Sequence, residues 1–135
     1  MNALEEGLEL TLDFDKLGKI GRAGQQVVPV VLQDADGGEV LFVGFANRQA
    51  LDETLASRSA VLWSTSRNEI WRKGATSGDV LDLVEVRVNC EQNSLLYRVR
   101  ARAGGACHTR DPETGKTRSA CYYRRLTSPS DLAFL

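Results

Sequence analysis

The sequence predicts a mainly β, α+β fold: a mixed, mostly antiparallel sheet curling into a barrel-like core, with one clear helix. Three observations carry this. Short β-branched and aromatic runs recur along the chain, each bounded by turn residues. Only the stretch from Asn47 to Ala56 carries apolar residues at clear helical spacing. Several runs are joined by tight polar connections, which favour antiparallel pairing. With 135 residues, 42% hydrophobic and 26% charged, the chain suits a single domain over 1–135. Residues 1–24 form an N-terminal arm and 127–135 a C-terminal tail. A chain of this length buries roughly two-thirds of its unfolded surface, so it needs no staples.

The arm mixes charge with Leu4, Leu8, Leu10, Leu12 and Phe14 and is expected to be irregular with some regular structure. Gly18, Gly21 and Gly24 then interrupt it. Val27 to Gln33 reads as a strand, with Pro29 placing it at an edge or lying near its start, since proline cannot donate to a ladder. Asp34-Ala35-Asp36-Gly37-Gly38 is a turn and Glu39 to Phe45 the returning strand, so the two form a hairpin.

Asn47 can cap the helix that follows, with Ala50, Leu51, Thr54 and Leu55 on its inner face. Ser59 to Ser64 and Glu69 to Lys73 read as strands joined by Thr65-Ser66-Arg67-Asn68. Val80 to Val88 alternates, with Leu81, Leu83, Glu85 and Arg87 on one face. Ser94 to Arg102 sets Leu95, Tyr97 and Val99 against Leu96, Arg98 and Arg100, and Asn89 to Asn93 connects these two strands. Ala120 to Leu126 reads as the last strand, and the segment beyond Pro129 is expected to be loosely attached.

The net charge of -1 argues against a polyanion-binding surface, and so against a nucleic-acid partner. No apolar run approaches the roughly 20 residues of a membrane span. The acidic start Met1-Asn2-Ala3-Leu4-Glu5-Glu6 has no apolar export core, which points to the cytoplasm. In that reducing setting, metal or catalytic use of cysteine outweighs disulfides.

The stretch Gly104 to Leu126 concentrates the chemistry. It carries Cys107, Cys121 and His108, the only histidine, while Cys90 lies just upstream. Three thiols and an imidazole make a zinc-type ligand set. Their spacing matches no paired-cysteine knuckle. Residue types alone therefore leave open a second reading, three buried free cysteines acting as small hydrophobes.

Motif order adds to this. Val28-Pro29-Val30-Val31-Leu32-Gln33-Asp34, Glu39-Val40-Leu41, Asn47-Arg48-Gln49-Ala50-Leu51, Trp63-Ser64-Thr65-Ser66-Arg67, Trp71-Arg72-Lys73-Gly74, Thr76-Ser77-Gly78, Cys90 with Leu95-Leu96, Cys107-His108-Thr109 and Cys121-Tyr122 follow one another. In this order they resemble the phosphoribosyl-AMP cyclohydrolase family over about residues 25–126. The resemblance implies a strand-rich pseudobarrel capped by one helix, in an intertwined homodimer. It implies zinc between subunits, bound by Cys90, Cys107 and Cys121, with Cys90 and the other two from opposite chains. It also implies the reaction: hydrolytic opening of the N1–C6 bond of the adenine ring of phosphoribosyl-AMP, in histidine biosynthesis.

Three thiolates leave zinc an open position, as catalytic sites do, and zinc lowers the pKa of water toward about 7. Zinc deaminases attack similar ring carbons. His108 beside Cys107 is the candidate general base or proton shuttle; its alternative is a residue that orients a ligand. Ser64, Ser66, Arg67, Lys73, Thr76 and Ser77 are candidate phosphate donors, with Gly74 and Gly78 allowing close backbone approach. Without the resemblance, Arg67 and Lys73 would read as surface charge. Trp63 and Trp71 read as core or interface residues.

Three departures stand out. The family's Asp-Cys-Asp-x-Asp pattern, whose aspartates bind magnesium, is here Asn89-Cys90-Glu91-Gln92-Asn93. One carboxylate in place of three argues against tightly prebound magnesium, although Glu91 could hold one jointly with substrate phosphates. The glutamate of the family's Lys-Gly-Glu motif is Ala75, and the loop Arg110 to Arg118 is longer. Besides a cyclohydrolase with a relaxed second metal site, two readings follow. One is a paralogue hydrolysing another amidine-like nucleotide or heterocycle. The other is a non-catalytic zinc protein whose metal is closed by His108.

Overall fold

The computed structural model describes residues 2–135. Helices α1 (Ala3–Glu6) and α2 (Lys16–Arg22) give the arm its regular structure. Then come β1 (Val28–Asp34), β2 (Val40–Ala46), α3 (Arg48–Ser57), β3 (Val61–Ser64), β4 (Glu69–Arg72), β5 (Leu81–Val88), β6 (Leu95–Ala101), β7 (Arg124–Leu126) and β8 (Leu132–Phe134). Among the described residues no helix is long and apolar enough to cross a membrane.

The expected mixed, strand-rich architecture is present. A four-stranded sheet runs β2-β1-β6-β5, while β3-β4 and β7-β8 form separate two-stranded sheets. β1 pairs antiparallel with β2 and parallel with β6. β1 is thus a central strand, not an edge. It tolerates Pro29 because its pairing with β6 begins only at Val30, so no ladder donor is missing there. The turn after β1 forms as expected: Asp34 Oδ2 accepts from the Gly37 N–H at 2.8 Å.

Asn47 caps α3, its Oδ1 accepting from the Ala50 N–H at 2.9 Å. Ala50 and Thr54 are fully buried, but Leu55, expected on the same face, is 46% exposed. Two further expectations are corrected at the strands. β5 and β6 lose register between Leu83 and Glu85, so Val84 is a bulge. The bulge moves the inner face from Leu81 and Leu83 to Val86, which packs against the core. Arg58 covers it, Nη2 donating to the Val84 carbonyl at 3.2 Å.

The strand expected over Ala120 to Leu126 begins only at Arg124, as β7. The tail beyond Pro129 is not loose: β8 pairs antiparallel with β7, and the Leu132 N–H donates to Leu8 O of the arm at 2.9 Å. The core is centred on Val30, Leu32, Leu62, Leu81, Tyr97 and Val99, all fully buried. Each contributes roughly 1.5–3 kcal/mol by leaving water. Trp71 lies 6.0 Å from Phe42 by ring centroids but is 40% exposed, outside that core.

Candidate active site

The thiols meet because the chain folds back on itself. The Ala106 N–H donates to Ser119 O (3.1 Å), the Cys107 N–H to Arg118 O (3.0 Å) and the Arg118 N–H to Thr109 O (2.9 Å). An isolated bridge joins Arg110 and Thr117. The polar insert Arg110 to Arg118 is therefore the turn of an irregular hairpin, and this register carries Cys121 back to Cys107. Glycine is required at Gly105, where a Cβ would run into the Arg118 carbonyl.

Cys107 is buried, with Sγ 2.9 Å from the Thr109 hydroxyl. Cys121 is exposed as a residue, while its sulfur is turned toward Cys107. Its backbone N–H is moored to Leu41 O of β2 at 2.8 Å. Burial of the sulfur, then the charge and hydrogen bond of Cys107, push the Cys121 thiol up to about 12, with Lys73 opposing. Lys73 is only 7% exposed, and its Nζ donates to Asp79 O at 3.2 Å. Burial pulls its ammonium down, while Asp79, Cys121 and Cys107 support the charge. Lys73 thus stands beside the thiol pair, not on the hairpin surface. Gly74 follows with φ +79°, its Cα against the Asp79–Val80 backbone, where only glycine fits.

His108 points outward, its side chain 80% exposed, with Nε2 3.1 Å from Glu5 Oε2 of the arm. Cys90 is exposed in the β5–β6 turn, away from the pair. Of the three cysteines, only Cys107 fits the reading of a buried hydrophobe. Among the described residues no three His, Cys, Asp or Glu side chains gather closely enough to hold a metal. The Cys107–Cys121 pair does suit half of a tetrahedral thiolate set.

The β5–β6 turn suits magnesium poorly. Asn89 Oδ1 accepts from the Asn93 and Ser94 N–H groups, both at 2.9 Å. Asn89 Nδ2 donates to Asn93 Oδ1 (2.6 Å) and Asn93 Nδ2 to Glu91 Oε2 (3.1 Å). The amide oxygens are spent on the turn, and one carboxylate remains.

The candidate phosphate donors fall into two groups. Ser64, Ser66 and Arg67 sit at the tip of the β3–β4 hairpin, the Ser64 Oγ accepting from the Arg67 N–H at 3.2 Å. Lys73, Gly74, Thr76 and Ser77 lie at its other end, where the Ser77 Oγ accepts from the Asp79 N–H at 3.2 Å. The ladder from Val61↔Arg72 to Ser64↔Glu69 separates them by roughly 10 Å at ~3.3 Å per residue.

Sequence reasoning assigned no role to Glu5, Glu6, Thr109 or Arg118. The Arg118 guanidinium donates to both Glu6 oxygens (2.6 and 2.9 Å) and to Thr109 Oγ1 (3.0 Å), and stacks 4.0 Å over the Tyr123 ring. Thr109 stood in the Cys107-His108-Thr109 motif, so a signal existed for it. The arm residues carried none. A cleft of about 700 Å³ lies beside this hairpin, between Asp111, Lys116, Tyr123 and Phe134. A second, of about 430 Å³, is lined by Gln25, Arg48, Trp63 and Asn68. Cys107, Cys121 and His108 line neither.

Paired thiols and an exposed imidazole lie on one reversed segment, and sequence comparison gives the class of protein they belong to: a hydrolase acting on a cyclic amidine. The family model for phosphoribosyl-AMP cyclohydrolase matches residues 42–123. A phosphoribosyl-AMP cyclohydrolase of Bordetella parapertussis is 41% identical over 107 residues, 79% of this chain and 75% of the relative. That of Sphingopyxis alaskensis is 44% identical over 109 residues, covering 81% and 80%. That of Hyphomonas neptunium is 38% identical over 125 residues, covering 93% and 83%. The chain belongs to the phosphoribosyl-AMP cyclohydrolase family.

Proposed function

We propose that this chain hydrolyses the N1–C6 bond of the adenine ring of phosphoribosyl-AMP, in histidine biosynthesis, as a zinc-dependent cytoplasmic homodimer. One observation carries the reading: the reversed segment that joins Cys107 to Cys121 beside Lys73 lies within the stretch matched by the family model. The relatives' names supply the substrate. The third ligand, as the family resemblance implies, is Cys90 of a second copy; the two converging thiols and the separate, exposed Cys90 of one chain support this.

Zinc, when bound, supplies Lewis acidity that makes water a nucleophile near neutral pH. The residues do the rest. His108 is open to solvent one position from Cys107, so it can take a proton from the water adding at C6. It returns that proton to N1 as the N1–C6 bond breaks, leaving a carboxamide at the former C6. Arg67 offers a bidentate fork to a phosphate, with Ser64 and Ser66 beside it; Thr76 and Ser77 serve from the hairpin's other end. Two groups roughly 10 Å apart suit a substrate with two phosphates. No step is assigned to magnesium.

The test is an ultraviolet assay on phosphoribosyl-AMP together with metal analysis of the purified chain. Turnover with about one zinc per chain is expected, and Cys107→Ser should lose both. Zinc-loaded protein that leaves the substrate intact would point to a paralogue acting on another amidine-like compound. Zinc closed by His108 as a fourth ligand would make the site structural.

A further inference from the structure

The N-terminal arm crosses the chain to reach the thiol-bearing hairpin. The Tyr123 hydroxyl donates to Glu5 O at 2.9 Å, and Arg124 donates to Leu4 O (2.9 Å) and Gly7 O (2.8 Å). Arg118 holds both oxygens of Glu6. These bonds fix α1 on both sides of Glu5. Its side chain is 31% exposed, and Oε2 stands 3.1 Å from His108 Nε2. Glu5 lies outside residues 42–123, so the family match gives it no role.

We propose that Glu5 is a positioning residue for His108, supplied by the arm. The inference rests on the proposed hydrolysis, in which His108 moves the proton. An exposed imidazole turns freely about two torsions, and only part of that range faces a substrate. A carboxylate at Nε2 fixes the ring plane and takes the Nε2–H, leaving Nδ1 as the face that exchanges a proton. An isolated exposed pair would do little of this. Here the carboxylate is held by a backbone anchored at Leu4, Glu5 and Gly7, so holding it costs less side-chain freedom than in a free pair.

The test uses the zinc-loaded chain and three variants. In Glu5→Ala, kcat should fall about tenfold, less than the roughly 10²–10⁴-fold that the proton-transferring group itself supplies, with KM and zinc content unchanged. Glu5→Asp should recover part of the loss. Glu6→Ala removes the Arg118 pair but leaves the Glu5 carboxylate and the backbone anchors at Leu4, Glu5 and Gly7 in place, so its kcat should fall clearly less than that of Glu5→Ala, whereas a merely structural role predicts that the two match. Because His108 is the sole histidine, carbethoxylation by diethyl pyrocarbonate reads its imidazole without substrate. Modification should be several-fold faster in Glu5→Ala than in wild type, and wild type should show a nuclear Overhauser contact between the His108 ring and the Glu5 methylenes. Unchanged kcat, or equal losses in Glu5→Ala and Glu6→Ala, would overturn the assignment. If wild type opens no ring, the proposed function falls first. The modification rate and the Overhauser contact then decide this inference, and equal rates with no contact reject it.

Discussion

Arg118 holds Glu6 across 112 residues of sequence, through paired contacts of 2.6 and 2.9 Å. Their side chains are only 10% and 23% exposed. The pair joins the first helix to the segment that carries Cys107. It therefore ties the N-terminal arm to the segment that carries the thiols.

That pair carries a pH signature. The Arg118 hydrogen bond, outweighing the opposing effect of burial, holds the Glu6 carboxyl below its ordinary value of 4.5. A depressed carboxyl stabilises the fold above its unfolded value, and that contribution fades as pH falls through the folded value. Glu6→Gln should lower Tm at neutral pH, with the gap to wild type closing below about pH 4.5. A gap independent of pH would show that the contact acts through packing, not charge.

The buried hydroxyl of Thr54 makes a second prediction. Its Oγ1 lies 2.9 Å from the Ala50 and Val61 carbonyls and accepts from the Val61 N–H at 3.0 Å. It fastens α3 to β3 inside the core. Thr54→Val keeps the shape and leaves the Val61 N–H without its partner, costing about 1–3 kcal/mol. Urea denaturation measures this. Thr54 has no part in the proposed chemistry, so turnover by the folded fraction should persist.

Sequence legibility followed range. Local signals were readable: the Asp34 turn, the Asn47 cap and the alternation of β6 all stand as expected, because each depends on near neighbours. The Val84 bulge was not, since alternation does not reveal which strand yields a residue. The β8 tail and the arm were missed for one reason. Leu8, Leu132 and Arg124 interact across more than 100 residues, and nothing local marks such partners. At the site, motif order singled out Cys107, Cys121 and His108. It did not show that Lys73 faces the thiols, because burial is a tertiary property.

In the metal-free chain the three thiols should differ in reactivity. The Cys121 thiol, pushed up to about 12, stays neutral near pH 8, and Cys107 is buried. Cys90 is exposed and should be alkylated first by iodoacetamide, as peptide mapping by mass would show. A raised thiol favours the folded state below its ordinary value of 9.0, and that advantage is lost as pH climbs from there toward 12. Metal-free protein should therefore lose stability in strong base, and Cys121→Ala should remove part of that loss. Cys121 reacting as fast as Cys90 would contradict the buried sulfur.

The proposed sharing of the site between subunits predicts a complementation. Cys90→Ser and Cys107→Ser should each be inactive alone, since each removes one thiol from every site. In a mixed dimer, one site carries both substitutions and the other carries neither. Unfolding and refolding the two variants together should therefore restore part of the turnover, up to roughly a quarter for random assortment. Cys107→Ser mixed with Cys121→Ser should restore none, because those two residues come from the same chain. Recovery in the first mixture and silence in the second would place Cys90 opposite the pair. Silence in both, with dimers present by light scattering, would return all three thiols to a single chain.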